Sequence, residues 1–363
     1  METPMRLTCV AAGLVLFGTL GGADAAEQPA TISQGWASTG VRYGNTDSLT
    51  CAPLADGRLA VFATAKDTHR IDVFDAGSGR YIRSVGKPGA GAGEFRRPNG
   101  IVAITFPASN APGQESKRTA ILVIERDNHR VQAFWSDDFS AAGMFGAAEL
   151  RRPYGGAVSY RGGEVQLYVT DTNVAPDRTV HVFQVKRQGD RIEGRHLRAM
   201  GERAGPGLLR EVESIVVDDQ LGRMFVCDEP LKHAKVYSLG GHYLNRSIGD
   251  GLVQGDPEGI AIIRNGPRGF ILLTDQRKDI TIWHVFDRRT LAYVASLTGE
   301  PRVANMDGIC VHQAAFKGFP HGALFAVNDD ADLRAYRIED VLRAIGQGRS
   351  EGGRQGGQAP ADE

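Results

Sequence analysis

The side chains best equipped for chemistry in this sequence are oxygen donors, and they cluster at the edges of apolar stretches. Glu211-Val212-Glu213-Ser214 opens one stretch and Cys227-Asp228-Glu229 closes the next. Asp256-Pro257-Glu258-Gly259, Thr274-Asp275-Gln276 and Met306-Asp307-Gly308-Ile309 stand in the same relation further on. Carboxylates with a carboxamide are hard ligands, and calcium takes roughly six to eight such oxygens. The histidines and cysteines show no zinc-ligand spacing, and there is no G-x-S-x-G elbow, phosphate loop or C-x-x-C. Any one of these acids alone reads equally well as a turn cap at a strand end. Together they point to a cation, because several like charges in one cavity repel strongly unless neutralised. Asp218-Asp219, ahead of Leu221-Gly222, reads as a hairpin turn. His69 and His129 recur in the same (T/N)HR setting, which fits a turn or inter-blade hydrogen bond better than catalysis.

The elements that must position these groups repeat along the chain. A strand of the type RIDVF, RVQAF, TVHVF, AKVY, ITIWHVF and LRAY recurs from positions 71, 131, 180, 234, 280 and 333, a spacing of 46 to 60 residues. An apolar strand with a polar end precedes each copy: LAVFATAKD, ILVIERD, QLYVTD, RMFVCDE, FILLTDQ and ALFAVND. Gly 46 among 363 residues, well above the usual share of about 7%, fits many tight strand connections. Several short strands per unit at this period, without helices for crossovers, predict an all-β, six-bladed β-propeller over 26–345. A lone four-stranded sheet leaves both apolar faces wet, whereas a ring of sheets buries each face on its neighbour. The segment 107–118 reads as a surface loop, and DRIEGRHLRA is too short for a helix assignment.

The ordered succession VES…CDE…DPEG…DQ…DGI…FP, ending at Phe319-Pro320, resembles the β-propeller phytase family. These are exported six-bladed enzymes that use calcium to hydrolyse phosphate monoesters of inositol hexakisphosphate. The resemblance spans roughly 45–340 and is densest from 211 to 330. It implies calcium ligands at Glu213, Glu229, Asp256, Glu258, Gln276 and Asp307, and anion-binding cations at Lys66 and Arg126. It also implies a phosphate-side tyrosine at Tyr154, so that Lys66, Arg126, Tyr154 and Glu213 form the expected catalytic set. Asn99 in RPNG and the pair Asn328-Asp329 match further family positions. The expected activity is phosphoric monoester hydrolysis on inositol hexakisphosphate or a smaller phosphate ester.

Two stretches depart from the family. Its first-blade Asp-Asp-Pro-Ala is replaced by Asp47-Ser48-Leu49-Thr50-Cys51-Ala52-Pro53, which keeps one acid, and a blade-three lysine is replaced within Thr170-Asp171-Thr172-Asn173. Fewer metal ions and a weaker hold on the most highly charged esters follow, with Asp171 free to bind metal instead. The phrases GKPGAGAGEFRRPNGIVAI and ELRRPYGGAVS also resemble NHL-type propellers, many of which bind proteins, RNA or glycans without catalysis. They give the alternative of a non-catalytic exported propeller that binds a protein or small ligand. A third reading is a lactonase with one divalent ion held in the central channel.

Lys and Arg number 42 against 43 Asp and Glu, a net charge of -1, which argues against a nucleic-acid binder. Arg6, the apolar run 10–20 and Ala23-Asp24-Ala25 read as a signal peptide over 1–25, too short to span a hydrocarbon core of about 30 Å. The expected product is a periplasmic or secreted monomer, free of the membrane after cleavage. Cleavage leaves Cys51, Cys227 and Cys310; buried free thiols are expected, with one bridge plus one free thiol as the alternative. The glycine-, glutamine- and charge-rich tail 346–363 is expected to be disordered.

Overall fold

Alternating apolar residues drive the chain into short antiparallel strands, and each copy of the repeat becomes one sheet. The computed structural model describes residues 28–40, 44–108 and 116–352. Blade one comprises Thr46–Pro53, Leu59–Ala65, Arg70–Asp75 and Tyr81–Val85, paired in that order. Blade two runs Pro98–Phe106, Arg118–Glu125, Arg130–Trp135 and Ala141–Phe145. Blade three runs Pro153–Arg161, Glu164–Asp171, Val180–Gln188 and Arg191–Met200, the last strand absorbing DRIEGRHLRA. Blade four is Val212–Asp218, Arg223–Asp228, His233–Ser238 and Tyr243–Ile248. Blade five is Ile260–Asn265, Arg268–Gln276, Thr281–Asp287 and Tyr293–Glu300, with Ala30–Ser33 added in parallel at its outer edge.

Blade six has only three strands from its own part of the chain: Ile309–His312, Ala323–Asn328 and Asp332–Arg337. Its fourth is Trp36–Ala37, which pairs antiparallel with Arg334 and Ala335. The ring therefore closes by joining the two ends of the chain. Trp36 fastens the seam: its indole donates to the Ala76 carbonyl of blade one at 2.9 Å and packs on Phe325 of blade six. Helix Ile338–Gly352 follows, and its Val341, Ala344 and Ile345 cover Ile32 and Leu297. The leader expected over 1–25, the tip of the 107–118 loop and residues 353–363 lie outside the described residues.

Apolar burial follows the ring. Each interface between neighbouring blades holds one hydrophobic cluster, such as Phe62, Ile71, Ile121 and Val123 between blades one and two. Val61, Phe74, Phe325 and Val327 fill the seam between blades one and six. Among the described residues, no helix is long and apolar enough to cross a membrane.

Candidate metal centre at the channel mouth

The register of each blade places two sets of residues at one end of the central channel. Pairing Thr46 with Ala65, Pro98 with Glu125, Pro153 with Asp171 and Val212 with Asp228 aligns the start of each inner strand with the end of the second. Asp256 bridges Gln276, and the Val327 amide donates to the Gly308 carbonyl, which extends the alignment to blades five and six. The inner set is then Asp47, Asn99, Tyr154, Glu213, Glu258 and Asp307, one from each blade. The second set, at or just past the ends of the second strands, is Lys66, Arg126, Thr172, Glu229, Gln276 and Asp329.

A small residue follows every member of the inner set: Ser48, Gly100, Gly155, Ser214, Gly259 and Gly308. The reason is close approach between inner strands. A Cβ on Gly155 would lie 2.3 Å from the Glu213 carbonyl oxygen, and one on Gly308 would lie 2.4 Å from that of Asp47. Ser214 instead donates its hydroxyl to the Glu258 carbonyl. Thr64 and Thr170 add hydrogen bonds to the Asn99 and Glu213 carbonyls at 2.8 and 2.7 Å. Backbone contacts thus fix the inner side chains relative to one another. These small residues also line the cavity of about 330 Å³ directly below the mouth. Gly155→Ala is expected to push the Glu213 backbone away and lower stability by about 1–3 kcal/mol. Denaturant unfolding of the variant checks this; unchanged stability would mean that the Glu213 strand yields without cost.

The same register identifies acids that serve the fold. Glu125, Asp171, Asp228 and Asp275 are all fully buried at the ends of second strands. Glu125 accepts from the Arg96 amide, and Asp171 from those of Arg151 and Arg152 at 2.8 and 2.6 Å. Asp228 accepts from Arg210, and Asp275 from Gln254 and Gly255. In blade six, Asn328 takes the Ala304 amide at 3.2 Å. Each ties down the loop that leads into its own inner strand, which orients the inner set. Asp171, fully buried with an amide bonded to each oxygen, thus serves the scaffold. The histidine expectation holds at His69, whose Nδ1 accepts the Arg97 amide across the blade boundary at 3.0 Å. Asp218 is likewise structural, paired with the buried Arg288 of blade five.

The charges at the mouth are unevenly matched. Glu213, Glu229 and Glu258 each bring one oxygen within 4.8 Å of the others. Glu213 is 9% exposed, and its Oε2 is buried without a hydrogen-bond partner. Burial, with help from Asp47, Glu229 and Asp307, pushes the Glu213 carboxyl up to about 7, even against a hydrogen bond with Glu258. Glu258 is also raised, by burial and then by Glu213. Across the ring, Lys66 is 8% exposed and its Nζ lies 3.1 Å from Asp47 and 3.0 Å from Asp307. Burial opposes its charge, but the two carboxylates outweigh that and hold its pKa above the ordinary value. Asp47, also bound by Asn99 at 3.2 Å, is nonetheless pushed up to about 6 by burial. Burial, and then the charges of Asp47, Glu213, Glu258 and Asp307, keep the Tyr154 hydroxyl protonated.

The structure therefore gathers Tyr154, Glu213, Glu229, Glu258, Asp307 and Lys66 at one mouth. Gln276 joins them by donating its amide to Asp307 at 2.6 Å, while Asp256 meets Gln276 through backbone bonds and acts electrostatically on Glu229. Arg126 stands apart, its guanidinium on Asp127 at 2.9 Å. Sequence reasoning gave no weight to Asp330, which Asn305 holds at 3.0 Å and which burial and Asp307 push up to about 6. Its only signal was the run Asn328-Asp329-Asp330.

No protein-family model matches this sequence, and none of the curated proteins matches it. Fold and mouth nevertheless define a class: a six-bladed β-propeller whose architecture is consistent with ligand binding at a carboxylate-rich channel end.

Proposed function

We propose that the mouth is a calcium-dependent site for hydrolysis of phosphate monoesters, in an exported protein of the periplasm or medium. The observation that supports this reading is the convergence of Glu213, Glu229 and Glu258 within 4.8 Å, with Glu213 Oε2 buried and unpartnered. Such a cluster is costly without a cation and is made of the hard oxygen donors that suit calcium. Glu213, Glu229 and Glu258 would hold it, with Asp256, Gln276 and Asp307 on the rim. When bound, calcium would neutralise phosphate oxygens and lower the pKa of a water molecule beside them. Tyr154, kept protonated, can donate to a phosphate oxygen. Lys66 bridges Asp47 and Asp307 and so offsets one of the two further negative charges that would repel the substrate. Arg126, bonded to Asp127, would have to turn from that aspartate to reach the outer oxygens. Thr172, with no charge, occupies the blade-three position, which favours esters less charged than inositol hexakisphosphate.

The pairing of Lys66 and Arg126 with aspartates favours a second reading, a non-catalytic ligand-binding propeller. Release of inorganic phosphate from inositol hexakisphosphate and from an aryl phosphate, with calcium and with chelator, separates the two. Calcium-dependent release supports the phosphatase. Absence of release from both, while calcium raises the melting temperature, leaves the binding module.

Calcium stabilisation should depend on pH. Glu213 is raised from 4.5 to about 7 and Asp47 from 3.8 to about 6 in the folded protein. A carboxyl raised by folding contributes stability at low pH that is lost as pH climbs through its folded pKa. The calcium-free protein should thus weaken from about pH 5 to 8, and the calcium-induced rise in melting temperature should grow over that interval. A calcium effect that is constant over this range would argue against binding at these carboxylates.

A further inference from the structure

We infer that Cys51 and Cys310 form a disulfide that staples the seam of the ring. Cys51 lies on the inner strand of blade one, opposite Val61, and Cys310 on the inner strand of blade six, opposite Phe325. Their Sγ atoms are 3.3 Å apart, although the residues are 259 positions apart in sequence. Both are half-buried among the apolar side chains of the seam cluster. An S–S bond of about 2.05 Å needs the sulfurs to close by roughly an ångström, within the reach of side-chain rotation. Cys227 is no competitor: it is 1% exposed in the cluster between blades four and five.

The position has a mechanical meaning. At the outer edge the seam is held without a covalent link, by Trp36–Ala37 paired onto blade six and the Trp36 indole bonded to the Ala76 carbonyl of blade one. A bond between Cys51 and Cys310 closes the inner edge covalently, around a loop that contains most of blade one and all of blades two to five. Constraining so long a loop removes more freedom from the unfolded chain than a short bridge does. The reaction is thiol–disulfide exchange: the two thiols lose two electrons and two protons, and a small-molecule or protein disulfide is reduced to two thiols. An oxidising compartment, which the leader-like segment implies, supplies such an oxidant.

The test is independent of any phosphatase activity. The chain is refolded with oxidised and reduced glutathione, denatured, alkylated without reductant and mapped by mass spectrometry. The expected result is a cross-linked peptide pair containing Cys51 and Cys310, with Cys227 alkylated. Reductant should lower the melting temperature by about 5 °C or more in the wild type and in Cys227→Ser, but not in Cys51→Ser/Cys310→Ser. Alkylation of both seam cysteines after oxidative refolding, or a bridge involving Cys227, would overturn the inference.

Discussion

Glu258→Gln should abolish the calcium response and reduce calcium-dependent phosphate release by about a hundredfold or more, while stabilising the calcium-free protein at high pH. Glu258 is one of three glutamates converging within 4.8 Å, and burial and Glu213 both hold its carboxyl above the usual range. The amide keeps the shape and removes the charge. Below the raised pKa values the pair already carries a proton, so the gain is small near pH 5 and grows toward about pH 8. Melting curves of the variant with chelator and with calcium, at both pH values, read this directly. Loss of activity with wild-type calcium stabilisation would move the cation elsewhere. A less stable calcium-free variant at pH 8 would mean that the carboxylate is held by favourable contacts, contrary to the charge balance described above.

Lys66→Met has the second largest expected effect, and it falls on stability. The methionine retains much of the apolar stem but leaves Asp47 and Asp307, each about 3 Å from the lysine nitrogen, without their shared cation. Removing one partner of a buried ion pair costs about 3–5 kcal/mol, so the melting temperature at pH 7 should fall by roughly 5–10 °C. Adding Asp47→Asn to the variant should restore much of the loss, because one stranded charge is gone. The loss should also shrink near pH 5, below the pKa of about 6 that burial gives Asp47. Equal losses at pH 5 and pH 8, with no recovery in the double variant, would assign Lys66 to packing alone.

The two variants probe opposite sides of one ring. Among the described residues, the mouth glutamates Glu213, Glu229 and Glu258 of blades four and five pair with no lysine or arginine, whereas Asp47 and Asp307 of blades one and six share Lys66. Lys66 thus stands between two acids of the mouth, Asp47 and Asp307. This arrangement explains why Lys66 is buried, and it limits what Lys66 can offer a phosphate without letting go of Asp47 or Asp307.

The repeat itself was legible in the sequence, because strand alternation and blade period are local properties of the chain. So was the composition of the mouth: the triplets around Asn99, Tyr154, Glu213, Glu258 and Asp307 share a small residue in third place. That residue is demanded by backbone contact between inner strands, and its spacing survives divergence of the rest. Which acids face the mouth was not legible. Asp228 and Glu229 are adjacent, as are Asp275 and Gln276, and a one-residue difference in register sends the first to the loop amides and the second to the channel. Nor did the sequence reveal that Lys66 reaches Asp307, 241 positions away, or that Trp36 completes blade six. Local pattern determines which strands form and how they pair within a blade. Closing the ring brings the first blade against the last, and only that long-range contact decides which charges neutralise each other, which remain exposed to a cation, and which two thiols meet.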